Sequence, residues 1–282
     1  MRLGIVSDEL HFDFRRAVQQ AARFGIRSFD LRMLRSGRIP CCAADELREV
    51  ERIVRNDNLE ITALSPGLFK HARTYQDFQV EMRELFPPAA ELAVRWRVHT
   101  LLVFGFEKTK SQGTQDRESI AREHWKERGE WLAEAAAAAN AHGLTLLLEP
   151  EPTCWADTGT HAAEMIRGSR AANLFLNYDP GNCAWQQGKD PTGEVTRFID
   201  LIRHLHVKDI VAGDPASAPI WVEPGRGIIN YAALFHILRQ SGYSGPVVLE
   251  PHLPLSDGLL SSSVSAVKRL WKNASGLEAV AG

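Results

Sequence analysis

The sequence predicts an α/β protein built as a (β/α)8 TIM barrel, an eight-stranded parallel barrel wrapped in helices. Three observations carry that expectation. Eight short apolar runs alternate with longer polar or amphipathic stretches along 282 residues. Such alternation calls for parallel pairing, because a parallel neighbour is reached only through a long crossover. The runs are near-continuous in Leu, Ile, Val and Phe, as strands buried on both faces are. The length suits a barrel of about 250 residues, or roughly 31 per unit. A doubly wound open sheet is the rival, but no GxGxxG follows the first run, which weakens its dinucleotide-binding version.

The elements follow in order. LGIVSD (3–8) is the first strand, followed by the amphipathic FDFRRAVQQAARFG. IRSFDLR (26–32) is the second, and CAADELREVERIVRNDN carries Leu47, Val50 and Val54 at helical spacing. LEITALSP (59–66) is the third strand, with a polar helix-like stretch from Tyr75 to Trp96. HTLLVFG (99–105) is the fourth; residues 122–143 form a strong helix by propensity, closed by Gly143. LTLLLEPEP (144–152) is the fifth, and THAAEMIRGSR a short helix with Thr160 as its expected cap. LFLNYDPGN (174–182) is the sixth, with EVTRFIDLIR as its helix. HLHVKDI (204–210) is the seventh, YAALFHILRQSG a helix, and GPVVLEPH (245–252) the eighth strand. A last helix spans about 257–272. We expect one barrel domain over residues 1–275 and a frayed tail over 276–282.

Composition narrows the function classes. Hydrophobic residues make up 44% and charged residues 24%, as in ordinary soluble globular proteins. The net charge of −2 favours no nucleic-acid partner, and no apolar run approaches a membrane span. The N-terminus shows no secretory leader, and four scattered cysteines make no disulfide framework, so a cytoplasmic location is expected.

Polar residues gather at the ends of the last four strands. Glu149 closes LTLLLE, Asp179 closes LFLNYD, His206 sits in HLHVKD and Glu250 closes PVVLE. The first two intervals each match one strand–helix unit, and the longer third fits an inserted loop in VAGDPASAPIWVEPGRG. All four would then meet at the carboxyl end of the barrel, where barrel active sites lie. An acid at the end of an apolar strand costs free energy unless something pairs with it. Three carboxylates converging beside one imidazole would repel one another, and a divalent cation relieves that. Oxygen ligands with one histidine suit Mn²⁺ or Mg²⁺, with Zn²⁺ or Co²⁺ as alternatives. Glu151 shares the alternation of Glu149, but Pro150 and Pro152 end the strand, so a supporting or substrate role is expected for it.

The motifs LLLEPEP, NYDPGNC, HLHVKDI, EPGRGIINY and GYSGPVVLEPH, in this order over nearly the whole chain, resemble the sugar-phosphate isomerase/epimerase superfamily of xylose isomerase-like barrels. The resemblance implies metal ligation by Glu149, Asp179, His206 and Glu250. It implies that Glu149 and Glu250 flank a small carbohydrate and trade protons with adjacent carbons through a metal-stabilised enediolate. It also suggests a homo-oligomer, a dimer or tetramer. Two positions depart from sugar epimerases: Asn182 stands where many carry histidine, and Arg226 lies inside the Gly-rich loop rather than before it.

Around the quartet, Lys208 is expected to neutralise a substrate oxyanion or phosphate or to pair with Glu151, and Asp209 to be structural or to orient an imidazole. Trp155 is expected against a sugar face, Arg226 on a carboxylate or phosphate, and Asn182 and His252 near substrate. Ser7, Glu9, Arg32 and Ser65, on the first strands at the mouth, are further candidate substrate contacts. A metal-dependent isomerase or epimerase is the leading expectation. A dehydratase of a polyol or cyclitol ketone is the alternative. An apurinic-site endonuclease relative, for which His71, His99 and His161 supply no obvious extra zinc set, and a non-catalytic sugar-binding barrel rank lower.

Overall fold

The computed structural model describes residues 1–108, 117–211, 217–254 and 256–274, with only the backbone of 117–122; the expected tail at 276–282 lies outside the described residues. Eight parallel strands close into a barrel: β1 (Arg2–Val6), β2 (Ser28–Leu31), β3 (Glu60–Leu68), β4 (Thr100–Phe104), β5 (Thr145–Glu149), β6 (Leu174–Tyr178), β7 (Ile202–Val207) and β8 (Pro246–Leu249). Each pairs with its sequence neighbours. The ring shuts where Gly4 of β1 lies opposite both Ser28 and Val248. A Cβ on Gly4 would stand 3.0 Å from the Ser28 carbonyl oxygen and 3.2 Å from Val248, so a side chain at the seam would have to displace its neighbours by a few tenths of an ångström.

The helices are α1 (Phe14–Ala22), α2 (Ala44–Asn56), α3 (Tyr75–Glu84), α4 (Phe86–Trp96), α5 (Arg117–Ala141), α6 (Gly159–Ser169), α7 (Pro180–Gln187), α8 (Tyr231–Gln240) and α9 (Asp257–Asn273). Their apolar faces and the outer faces of the strands form one extensive core, from Phe14 and Phe29 round to Leu234 and Val267. A small separate cluster of Ala63, Leu102 and Leu147, with Phe175 against it, plugs the barrel beneath the mouth. Residues two apart share a strand face, so the face that turns Leu147 into the plug turns Glu149 into the mouth. No helix among the described residues is long and apolar enough to cross a membrane.

Three local expectations are corrected. The stretch from Tyr75 to Trp96 is two helices. Thr74 and Asp77 form a capping box on α3, and Pro87 and Pro88 fit only the first turn of a new helix, so the chain breaks at Leu85. The cap of α6 is Thr158, whose extended backbone lets its hydroxyl accept from the His161 N–H at 3.2 Å; Thr160 lies inside the helix and donates to Glu194. The helix after β6 is α7, not EVTRFIDLIR. Asp179 caps α7 with Pro180 in its first turn, whereas 192–197 and 199–201 are 3-10 turns and Ile202 already belongs to β7. Two ribbons decorate the mouth: Met33–Leu34 with Gly37–Arg38, and Asp209–Ile210 with Trp221–Val222.

Candidate metal and substrate site

β5 stops at Glu149 because Pro150 and Pro152 cannot continue the ladder, and Glu149 sits in register with Phe104 at the rim. Asp179 follows β6 and divides its carboxylate. Oδ1 accepts the Asn182 N–H at 2.9 Å as the cap of α7, which leaves Oδ2 for the mouth. His206 lies opposite Val248 in the β7–β8 pair, and the Glu250 N–H donates to Val207 O at 3.1 Å, which sets Glu250 beside His206. Glu149, Asp179, His206 and Glu250, all buried, each bring one ligand-type atom to within 4.8 Å of the others. Asp179 Oδ2, His206 Nδ1 and Glu250 Oε2 lack any well-aligned hydrogen bond. They converge all the same, Nδ1 lying 3.0 Å from Glu250 Oε2 and 3.8 Å from Glu149 Oε2. Three buried carboxylates and one imidazole gathered around one point, with a single ammonium among them, make an oxygen-rich set that fits a divalent cation. These groups are positioned to hold a metal ion.

Electrostatics separates the two glutamates. Burial pushes Glu149 up to about 7, with the Glu250 and Asp179 charges adding to it against the pull of His206. Burial acts on Glu250 too, but Lys208, His206 and Arg32 outweigh it and hold this carboxyl well below its usual range. Glu149 is braced by neutral donors: Asn177 Nδ2 at 3.1 Å and Asn182 Nδ2 at 3.5 Å. Asn182 also donates to the Pro150 carbonyl at 2.9 Å.

Lys208 stands within the cluster, its Nζ 2.8 Å from Asp179 Oδ2, 2.9 Å from Glu250 Oε2 and 3.2 Å from Asn182 Oδ1. The expected partnership with Glu151 is corrected: Glu151 pairs with Lys70 at 2.7 Å. Asp209 orients no imidazole. Its two oxygens accept the backbone N–H groups of Ile210, Gly225, Gly227 and Ile229 and so pin the Gly-rich loop. The orienting carboxylate is Asp30 on β2, which sequence reasoning missed. Its Oδ2 faces His206 Nε2 at 2.9 Å, and its Oδ1 faces His204 Nε2 at 3.2 Å and accepts from Thr62. A buried acid in the middle of FDLR, inside an apolar run, was the available signal.

A cavity of about 540 Å³ opens over Glu149, His206 and Glu250. Glu149, Glu151, Asn182, Lys208, Glu250 and His252 line it, with Arg32 and Ser65 from the early strands and a rim of Trp185 and Trp221. Arg32 is clasped by Asp8 at 2.8 Å, Glu9 at 2.9 Å and Glu250. His252 is held by Glu9 at 3.0 Å. Trp155 is turned away from the cavity: its amide donates to the Phe106 carbonyl, and its ring packs on His124 at 4.0 Å and near Arg128. Arg226 is largely exposed and pairs with Glu223 at 3.0 Å, outside the lining. Ser7 is buried with no partner for its hydroxyl. His71 and His161 pair with Glu107 and Asp157, and His99 borders a smaller cavity of about 390 Å³ at the barrel's opposite end.

A closed parallel barrel with a carboxylate–imidazole cluster at its carboxyl mouth defines a class of metal-competent barrel. The chain belongs to the xylose isomerase-like TIM barrel family, whose model matches residues 18–266. It is 31% identical over 135 residues to the 2-oxo-tetronate isomerase of Cupriavidus necator, covering 45% of this chain and 48% of that protein. It is 20% identical over 149 residues to the inosose dehydratase of Clostridium tetani, covering 48% and 50%. The chain spans about half the length of the curated relatives it matches. In fold it resembles a D-tagatose 3-epimerase-like protein, with a TM-score of 0.77, 15% identity and 98% and 99% of the two chains covered. It also resembles the IolI protein with a binding zinc atom, with a TM-score of 0.73, 16% identity and 97% and 98% covered.

Proposed function

We propose that the protein is a divalent-metal-dependent isomerase or epimerase of a sugar or sugar derivative, with Glu149 and Glu250 as its proton-transfer groups. The observation that carries this reading is the pair itself. Two buried carboxylates belong to one cluster, Glu149 Oε2 at 3.8 Å and Glu250 Oε2 at 3.0 Å from the same imidazole nitrogen, His206 Nδ1. Such a pair has the makings of an acid and a base. Glu149, held by Asn177 and Asn182, is suited to taking and returning a proton at a carbon beside a carbonyl. Glu250, kept as a carboxylate beside Lys208, His206 and Arg32, is the second base, on the other side of the cluster. A divalent cation held by Glu149, Asp179, His206 and Glu250 would polarise a carbonyl and its neighbouring hydroxyl. Mn²⁺ or Mg²⁺ suits the oxygen-rich set, and Zn²⁺ or Co²⁺ would also be accepted. Asn182, Lys208, Glu151 and His252 line the space a substrate would occupy, and a relative acting as a 2-oxo-tetronate isomerase supports the reaction class.

The likeness to an inosose dehydratase favours a second reading, elimination of water from a polyol or cyclitol ketone on the same groups. One experiment tests both. Protein loaded with Mn²⁺ is incubated in deuterated water with ketoses, aldoses, 2-oxo sugar acids and inososes. The expected result is an isomeric product carrying one deuterium at the carbon beside the carbonyl. A product lighter by one water supports the dehydratase. An unchanged panel, with metal shown to be bound, overturns both.

A further inference from the structure

We propose that the substrate carries a carboxylate and that Arg38 is the residue that binds it, an inference resting on the isomerase reading. The cavity is lined by four permanent cations, Arg32, Arg38, Lys70 and Lys208. Three of them are spent on the protein's own acids: Arg32 on Asp8, Glu9 and Glu250, Lys70 on Glu151, and Lys208 on Asp179 and Glu250. Arg38 differs. Among the described residues no carboxylate lies within ion-pair distance of its guanidinium. Its partners are both neutral oxygens of one residue, Nε donating to the Ser65 carbonyl at 3.1 Å and Nη2 to the Ser65 hydroxyl at 3.3 Å.

Those two bonds fix the plane of the guanidinium without cancelling its charge, and they leave Nη1 unspent. The seat is shaped for this side chain. Gly67, at φ +85°, passes so close that a Cβ there would stand 2.9 Å from Arg38 Nε and 3.1 Å from Cζ. A half-buried cation with a fixed orientation and no counter-ion is costly unless something anionic arrives. Burial accordingly pulls the Arg38 guanidinium below its ordinary range, with the Arg32 charge adding to it, while the weaker fields of Glu149, Asp8 and Glu250 oppose the change. A planar fork that keeps unspent donors is suited to a carboxylate. Phosphate would bring more charge than one such fork neutralises, among carboxylates that already crowd the mouth. The geometry therefore assigns the cavity to a short hydroxy- or oxo-acid sugar, its carboxylate on Arg38 and its reacting carbons toward Glu149 and Glu250.

The test compares two ligands that differ only at this group, hydroxypyruvate and dihydroxyacetone. Binding to the Mn²⁺-loaded full chain is followed by calorimetry for the wild type, Arg38→Met and Arg38→Lys, with folding checked by thermal unfolding. The expected result is that Arg38→Met weakens hydroxypyruvate by roughly 10- to 100-fold, the value of a charged hydrogen-bonded contact, while Arg38→Lys loses less. Because the metal is present throughout, chelation by the oxo acid cancels between variants. Equal hydroxypyruvate affinity in the wild type and Arg38→Met overturns the assignment. If Arg38→Met does not fold, equal affinity in the wild type and Arg38→Gln does so instead. If the acid binds through Arg38 but no compound is isomerised, the inference stands and the isomerase reading falls. If neutral sugars are isomerised and the acid binds independently of Arg38, the reverse holds.

Discussion

Asp30 and His206 meet across the barrel lumen, Oδ2 to Nε2 at 2.9 Å, although β2 and β7 are not neighbours in the sheet. The bond occupies one nitrogen of the ring and turns the other, Nδ1, toward Glu149 and Glu250. Carboxylates that orient a ligating imidazole typically contribute 10- to 100-fold in metal affinity. Asp30→Ala should therefore weaken metal binding by about that factor, read by competition with a fluorescent chelator. Asp30→Asn, which still accepts one hydrogen bond, should lose less. Equal affinities in all three proteins would refute an orienting role.

Lys208 sits where its ammonium neutralises Asp179 and Glu250. Removing it as Lys208→Met leaves buried carboxylates without their counter-charge, a change worth about 3–5 kcal/mol in comparable buried pairs. Chelator-treated Lys208→Met should melt well below chelator-treated wild type, and added Mn²⁺ should raise the variant's melting temperature by more than the wild type's. A smaller metal-induced rise in the variant would contradict a shared neutralising role.

The buried cluster should contribute less to the stability of the metal-depleted protein as pH rises. Glu149 is raised to about 7 in the fold from an ordinary 4.5, so between these values the native state holds more protons than the unfolded one. The stability this group contributes is complete below pH 4.5 and lost as pH passes through about 7. His206, raised well above its ordinary value by the charges of Glu250 and Glu149 against the effect of burial, acts in the same direction above pH 6.5. Glu250 and Asp30 are held low and stay ionised across this window. In thermal melts from pH 5 to pH 7.5 the wild type should lose more stability than Glu149→Gln, and equal pH dependence in the two proteins would refute this contribution.

The Gly-rich loop depends on Asp209. A Cβ on Gly227 would lie 2.1 Å from Asp209 Oδ1 and 2.4 Å from the Ile210 carbonyl oxygen. Gly227→Ala must push the loop off its anchor, at a cost of about 1–3 kcal/mol. Hydrogen exchange should speed up at the amides of residues 225, 227 and 229, which donate to Asp209. Unchanged protection there would show that the carboxylate does not hold the loop.

The barrel was legible because its apolar runs are long, regularly spaced and punctuated by helices. The quartet was legible because Glu149, Asp179, His206 and Glu250 are polar residues at the ends of buried strands, where their type is costly. What stayed hidden depends on closure. Asp30 looks like any polar residue in FDLR until β2 and β7 face each other across the lumen. Arg38 lies in a ribbon with no apolar rhythm, and its unpaired charge emerges only when every neighbouring acid is seen to be taken. Trp155 follows Glu151 closely in sequence, but the chain doubles back so that the Glu151 N–H reaches the Ala156 carbonyl, and the indole is carried behind the wall. Helix boundaries near Pro87 and Pro180 shifted because prolines open helices as readily as they end them.

Trp185 and Trp221, edge to face with centroids 6.0 Å apart, stand at the lip of the cavity while the indoles of Trp125, Trp131 and Trp155 are buried. Their emission is thus an intrinsic optical gauge. Anything entering the mouth changes the solvent around these two rings first, and quenching measured without label or coupled assay reports occupancy even for a compound that is never turned over.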